Sequence, residues 1–216
     1  MARVRTQRAA LLAAVLAGAG LLSACAPLLL GGAVVGGSLM AADRRSSGAQ
    51  IEDEAIELKA GSRLRDALGD RGHVEVTSFN RVVLITGQVP TDADKATVAR
   101  IVGQVENVRS VVTEIAVRPA STWTGRSADT ILTGRVKAAL LDVNDTLASD
   151  VKVVSERGTV YLMGRVTPRE ADKASEAARS VGSVNKVVRV FEIISEAEVP
   201  KKAVPAKAPP QGQASQ

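Results

Sequence analysis

Two stretches of the chain carry the same order of apolar and polar positions. Val82-Val83-Leu84-Ile85-Thr86-Gly87-Gln88-Val89 and Thr159-Val160-Tyr161-Leu162-Met163-Gly164-Arg165-Val166 are each a β-branched run closed by a glycine. A proline follows each, in Val89-Pro90 and Thr167-Pro168, so each reads as a strand that stops where a helix starts. The flanks repeat too. His73 to Val83 matches Asp150 to Val160 without a gap, and Asp92-Ala93-Asp94-Lys95-Ala96 returns as Glu170-Ala171-Asp172-Lys173-Ala174. Valines at 105, 108, 111 and 112 return at 181, 184, 187 and 188. Four blocks recurring in one order mean two copies of one module.

In the first copy, Ile56, Ala60, Leu64 and Ala67 form an apolar stripe at helical spacing and predict a helix over Asp53 to Leu68. Strands Val74 to Phe79 and Val82 to Gln88 follow across a tight turn at Asn80-Arg81, then a helix Thr91 to Val102 capped by Thr91 or Asp92, then a strand Val108 to Val117. The second copy predicts a helix Ala128 to Leu141, a loop five residues longer through Asn144 and Asp145, strands Val151 to Ser155 and Thr159 to Val166, a helix Pro168 to Val181 and a strand Val184 to Ile194. Pro168 suits the first helical position, whose N–H lacks an intrahelical partner. Both copies are αββαβ, so the fold class is α+β.

The ends of the chain read differently. Arg3, Arg5 and Arg8 precede the apolar run Ala9 to Leu22, the form of an export signal. That run closes in Leu22-Ser23-Ala24-Cys25, which resembles a bacterial lipobox and implies that Cys25 carries diacylglycerol and acyl chains, palmitate among them. Each buried CH₂ contributes about 0.8 kcal/mol, so several chains hold a protein durably on a bilayer. Ala26 stands where aspartate would resemble an inner-membrane retention signal, which points to the periplasmic face of the outer membrane. The glycine pairs Gly31-Gly32 and Gly36-Gly37 lack the Lys-Ser/Thr of a phosphate loop. The expected organisation is a signal peptide over 1–24, an acylated cysteine and flexible tether over 25–50, module one over 51–118, a linker over 119–126, module two over 127–195 and a disordered Lys/Pro/Ala/Gln tail over 196–216.

Composition narrows the chemistry. The 216 residues carry net charge +5 with a pI near 9.7, which suits nucleic acid or an anionic membrane. Aromatics make up 2%, namely Phe79, Trp123, Tyr161 and Phe191, so no row of stacking platforms for single-stranded nucleic acid exists, and an exported chain meets membrane instead. One cysteine allows no internal disulfide. Cys25 is committed to lipid and His73 is the only histidine, which leaves no Cys/His nucleophile and no Cys/His metal cluster. Asp92, Asp94, Glu170 and Asp172 sit at helix starts, where the helix dipole accounts for them. The expectation is a non-enzyme with no catalytic residue, metal or cofactor.

The motifs Leu84-x-x-Gly87-x-Val89 and Leu162-x-Gly164-x-Val166, with the valine repeats after each, resemble the BON domain family. The resemblance runs from Cys25 to about Ile194 and takes in Asp43-x-Arg45-Ser46-x-Gly48. It implies that each module is a three-stranded mixed sheet with two helices packed on one face. It further implies a double-module outer-membrane lipoprotein that binds phospholipid, supports envelope integrity and cell division, and meets outer-membrane assembly or division proteins. The implied lipid-binding element is the first helix of module two, with tryptophan at the position of Ile131. Aligning Leu64 with Val136 puts Leu132 over Ala60 and Ile131 over Lys59, outside the core stripe. Ile131 with Arg135 and Lys137, and with Thr130, Gly134 and the nearby Trp123, then forms the expected face for anionic phospholipid: an apolar tip enters the acyl boundary while cations meet phosphates. A protein-interaction adaptor for envelope assembly, without lipid specificity of its own, is the alternative.

Overall fold

The structure is a computed structural model that describes residues 43–119 and 123–199; the expected signal peptide, Cys25, most of the tether and the tail from 200 onward lie outside the described residues. Module one contains α1 (Ser47–Leu68), β1 (His73–Phe79), β2 (Val82–Val89), α2 (Asp92–Gly103) and β3 (Ser110–Val117). Module two contains α3 (Trp123–Val143), the short α4 (Asp145–Asp150), β4 (Val151–Glu156), β5 (Thr159–Val166), α5 (Pro168–Ser180) and β6 (Lys186–Ile193), and a 3₁₀ turn (Glu196–Glu198) follows. Each copy forms its own sheet, in the orders β1-β2-β3 and β4-β5-β6. The first pair of each is an antiparallel hairpin and the second pair is parallel, so the predicted mixed sheets with helices on one face are observed.

Several boundaries differ from expectation, each for a local reason. α1 starts at Ser47, not Asp53, because Ser46 caps it by accepting the Ala49 N–H. α3 starts at Trp123, so the expected linker contributes its last residues to a helix. The expected loop after α3 folds into α4, capped by Asn144, whose Oδ1 accepts the Thr146 N–H at 2.8 Å. Leu68 is buried in the stripe position expected for Ala67. At α5, Thr167 and Glu170 form a reciprocal capping box with Pro168 in the first turn.

The two hairpin turns share one device. Asn80 and Arg81, and then Arg157 and Gly158, take left-handed backbone conformations with φ of 51°, 65°, 51° and 74°. Such two-residue turns match strand twist but strain residues with a Cβ. A carboxylate from the first helix of each module holds each turn. Asp53 accepts the N–H groups of Asn80 and Arg81, both at 2.7 Å, and the Ser78 hydroxyl at 2.6 Å. Asp129 accepts those of Arg157 at 2.8 Å and Gly158 at 3.1 Å. Burial alone would push the Asp53 carboxyl up, but the hydrogen bonds from Ser78, Arg81, Arg45 and Asn80 outweigh it and hold the group below its usual range.

This pairing corrects the helix alignment made from sequence. Asp53 corresponds to Asp129, and the buried Ile56, Ala60 and Leu64 correspond to Leu132, Val136 and Leu140, one helical turn from the register that put Leu64 over Val136. Ile131 therefore corresponds to Ala55 and not to Lys59. The apparent five-residue excess after α3 shrinks to one, because Val74 and Val151 stand opposite the strand glycines Gly87 and Gly164 in both copies. Those glycines are required: a Cβ at Gly87, whose φ is 119°, would collide with the His73 carbonyl, and one at Gly164 would approach the Asp150 carbonyl.

Side chains alternate across each strand. Val83, Ile85 and Val89 point to α1 and α2, and Val160, Leu162 and Val166 point to α3 and α5. The opposite faces meet each other: Phe79 and Leu84 bury against Tyr161 and Met163, flanked by Val112, Val154, Val188 and Val190. Each large side chain removed from water there contributes roughly 1.5–3 kcal/mol. Polar links frame this contact. Lys152 Nζ reaches Glu57 at 2.8 Å, and Glu192 accepts from Asn80 at 2.6 Å and from Arg109 at 3.0 Å. Arg44, ahead of α1, ion-pairs with Asp150 at 2.9 Å and with Glu170 at 2.7 Å in module two. The Arg44 hydrogen bond holds the Glu170 carboxyl down at about 2 against an ordinary 4.5.

Two outcomes follow for stability. Asp53→Ala removes the acceptor of the part-buried turn amides and of the Ser78 hydroxyl, and should lower the unfolding free energy by about 3 kcal/mol, read from denaturant melts. A depressed carboxyl contributes stability that is whole above its unfolded pKa and is lost as pH falls toward its folded value. Melting temperature should therefore drop between pH 4.5 and about 2, and Glu170→Gln should be less stable at neutral pH with a shallower acid limb, the two curves converging at the acid end.

Candidate functional site

α3 turns 100° per residue, which separates its faces cleanly. Leu132, Val136 and Leu140 enter the core of module two with 4%, 0% and 0% exposure. On the other side Thr130, Ile131, Gly134, Arg135 and Lys137 are all exposed. Ile131 is 57% exposed, so it does not pack against module one. The side chain of Trp123 lies outside the described part, although the residue itself opens the helix. Cys25 lies outside the described residues altogether.

The middle of the outward face is a stripe at spacings of three, four and three: Ile131, Gly134, Ala138 and Leu141. Leu141 is 52% exposed and was not among the residues singled out from sequence, although continuing the helical period from Ile131 reaches it. Lys137 and Thr130 flank one side of this stripe and Arg135 the other. The Thr130 hydroxyl donates to the Arg126 carbonyl at 3.1 Å, which commits it to the helix itself. Arg135 Nη1 donates to Ser183 Oγ at 3.3 Å, across a depression of about 270 Å³ beside Ile131. Ser183 comes from the α5–β6 connection, and only the folded chain brings it here. Two carboxylates temper the charge: Asp142 is exposed at the C-terminal end, and Asp129 is buried with both oxygens taken by turn amides.

Elsewhere the side chains that sequence nominated for chemistry are tied into the fold. Asp94 binds Arg71 at 2.9 Å and the Thr91 hydroxyl at 2.6 Å, and Asp172 binds Arg189 at 2.9 Å. His73 lines a cleft of about 590 Å³ between the β1 and β4 edges, with Glu75, Lys152 and Glu156. Burial pushes the Glu156 carboxyl up despite the hydrogen bond from Gln88. Lys152 is already paired with Glu57, and no serine, threonine or cysteine in the cleft is held against His73 as a nucleophile against a base. Among the described residues no three His, Cys, Asp or Glu side chains converge as metal ligands, and no helix is long and apolar enough to cross a membrane.

The family profile of the BON domain matches twice, over residues 52–119 and 128–195. Among curated proteins, the outer membrane lipoprotein DolP of Haemophilus influenzae is 36% identical over 175 residues, covering 80% of this chain and 90% of its own. A 21 kDa hemolysin of Actinobacillus pleuropneumoniae is 34% identical over 70% of this chain and 79% of its own. The osmotically inducible protein Y of Escherichia coli is 30% identical over 63% of this chain and 70% of its own. Two hairpins closed by a helical carboxylate, two strand glycines against a neighbouring carbonyl and two profile matches agree, and the chain belongs to the BON domain family as a DolP-like protein with two repeats.

Proposed function

We propose that this protein is a non-enzymatic, lipid-anchored component of the outer membrane, facing the periplasm, that binds anionic phospholipid through the outward face of α3 and supports envelope integrity near the division site. The observation that carries this reading is the 57% exposure of Ile131 on a helix whose outward face places Leu141 in the same stripe, between Arg135 and Lys137. An apolar stripe edged by cations is the pattern of a helix lying in the interface of an anionic bilayer. The Haemophilus relative, an outer membrane lipoprotein, supports the location and the acylation of Cys25.

Magnitudes explain why such a face would need an anchor. Sinking two aliphatic side chains contributes roughly 2 kcal/mol each, and each cation near an anionic surface about 1 kcal/mol. The sum corresponds to weak binding on its own. Acylation would raise the local concentration of the face at the membrane and turn weak contact into stable contact.

An adaptor role for module one has its own support. Ile51 and Leu58 are 68% and 67% exposed, one above the other on α1, but with exposed Glu54 beside them. An anionic bilayer repels that combination, whereas a protein partner with a basic rim suits it.

Sedimentation of the unacylated chain with phosphatidylglycerol vesicles at low salt tests both readings. Ile131→Glu and Arg135→Glu should each weaken binding about tenfold, a loss near 1.4 kcal/mol. Lys59→Glu and Ala55→Glu should leave it unchanged, and equal loss in all four would remove module two as the site. Ile131→Trp should tighten binding severalfold, because the indole suits the interfacial layer.

A further inference from the structure

Arg44 is held by module two although it precedes module one in the chain. Its Nε forms an ion pair with Asp150 Oδ2 at 2.9 Å, while its Nη1 donates to Glu170 Oε2 at 2.8 Å and to the Arg165 carbonyl at 3.1 Å, and its Nη2 donates to Glu170 Oε1 at 2.7 Å. The side chain is 5% exposed and that of Asp150 is fully buried. A guanidinium fork filled on three sides is a fixed attachment, of a kind that lysine cannot reproduce. The next residue grips the other module. Arg45 Nη1 donates to Asp53 Oδ2 at 2.7 Å, and its guanidinium stands 4.2 Å from the centre of the Phe79 ring, part of the apolar contact between the sheets. Neighbouring residues thus hold opposite modules.

The position of this bracket connects it to the α3 face. Asp150 ends α4, which starts immediately beyond the C-terminal end of α3 and is roughly 9 Å long at 1.5 Å per residue. Arg44 is therefore docked near the end of α3 where Leu141 is exposed, and Ile131 lies about 15 Å further along the same helix. The 18 residues from Ala26 to Asp43 separate Arg44 from Cys25, a span of at most about 65 Å. The family profile starts at residue 52, so the bracket lies ahead of the domain it joins. The contact between the sheets also has links that do not involve Arg44, among them the apolar centre of Leu84, Tyr161 and Met163, the Lys152–Glu57 pair and the Asn80–Glu192 hydrogen bond.

We infer that Arg44, together with Arg45, is a positioning pair: it fixes the point where the membrane tether enters the fold to both modules at once, beside the Leu141 end of α3, so that the acyl anchor and the α3 face act on one rigid body. The inference rests on the lipid-binding reading of α3. Its consequence is one preferred orientation on the bilayer, with α3 laid along the surface from its tethered end.

The test uses the full acylated chain in mixed phosphatidylglycerol and phosphatidylethanolamine vesicles. Acylation consumes the Cys25 thiol, so Ala138→Cys supplies a single site for an environment-sensitive fluorophore on the outward stripe, read by quenchers placed in the lipid. With Arg44 intact the probe should be immersed. Arg44→Ala should cut the immersed fraction at least threefold while acylated protein stays on the vesicles, and Arg44→Lys should not restore it. Vesicle binding of the unacylated chain should change less than twofold. Equal immersion with and without Arg44 overturns the inference, as does a matching loss in the unacylated chain, which would mean that α3 itself was damaged. Should Arg44→Ala fail to give a cooperative melt, Glu170→Gln decides, since glutamine keeps the helix cap while weakening the fork. A probe that stays dry in the otherwise native chain removes the lipid reading and this inference with it.

Discussion

A three-stranded sheet has two faces and, in this chain, helices for one. Each module covers one face with its own pair of helices and leaves the other lined by apolar side chains: Leu84, Phe79 and Val112 in the first, Tyr161, Met163, Val154, Val188 and Val190 in the second. Water is a poor neighbour for such a surface. Each copy supplies the cover that the other lacks, which is the constraint on which everything else rests. It keeps the central strands β2 and β5 buried on both faces along nearly all of their length. It also raises the Tyr161 hydroxyl to about 12, through burial first and then the nearby Glu114 and Glu156 carboxylates.

Most of the fold was legible because its rules are local. Strand runs such as Val82 to Val89 are β-branched, and the caps at Thr91 and Thr167 follow from side chains that compete for backbone N–H groups. The duplication carried those rules across both copies. The helix register was harder. Repeating alanines and leucines fit the first helices one turn apart almost equally well, and only the reach of Asp53 and Asp129 to their turns separates the two alignments. Neither aspartate stands out in sequence, since its partners are backbone amides 27 to 29 residues away.

The α3 face was half legible. Ile131, Arg135 and Lys137 belong to one helix, and helical period places them on its exposed side. Leu141 obeys the same period and lay within reach of it. Ser183 and the Arg44 dock do not, because they depend on which loop a folded module brings beside which helix. Arg44 in particular sits among residues that read as a tether, and nothing in Asp43-Arg44-Arg45 states that its partners are Asp150, Arg165 and Glu170, more than a hundred positions later.

Those partners also make the duplicates unequal. Asp150 and His73 occupy matching places, each immediately before the valine that faces its strand glycine. Only the second copy offers a carboxylate there. A permuted chain with its repeats exchanged would preserve both cores and every turn, yet would present the leading arginine with an imidazole where it requires an anion. The order of the two halves is thus written in part into the side chains that receive Arg44, Asp150 among them.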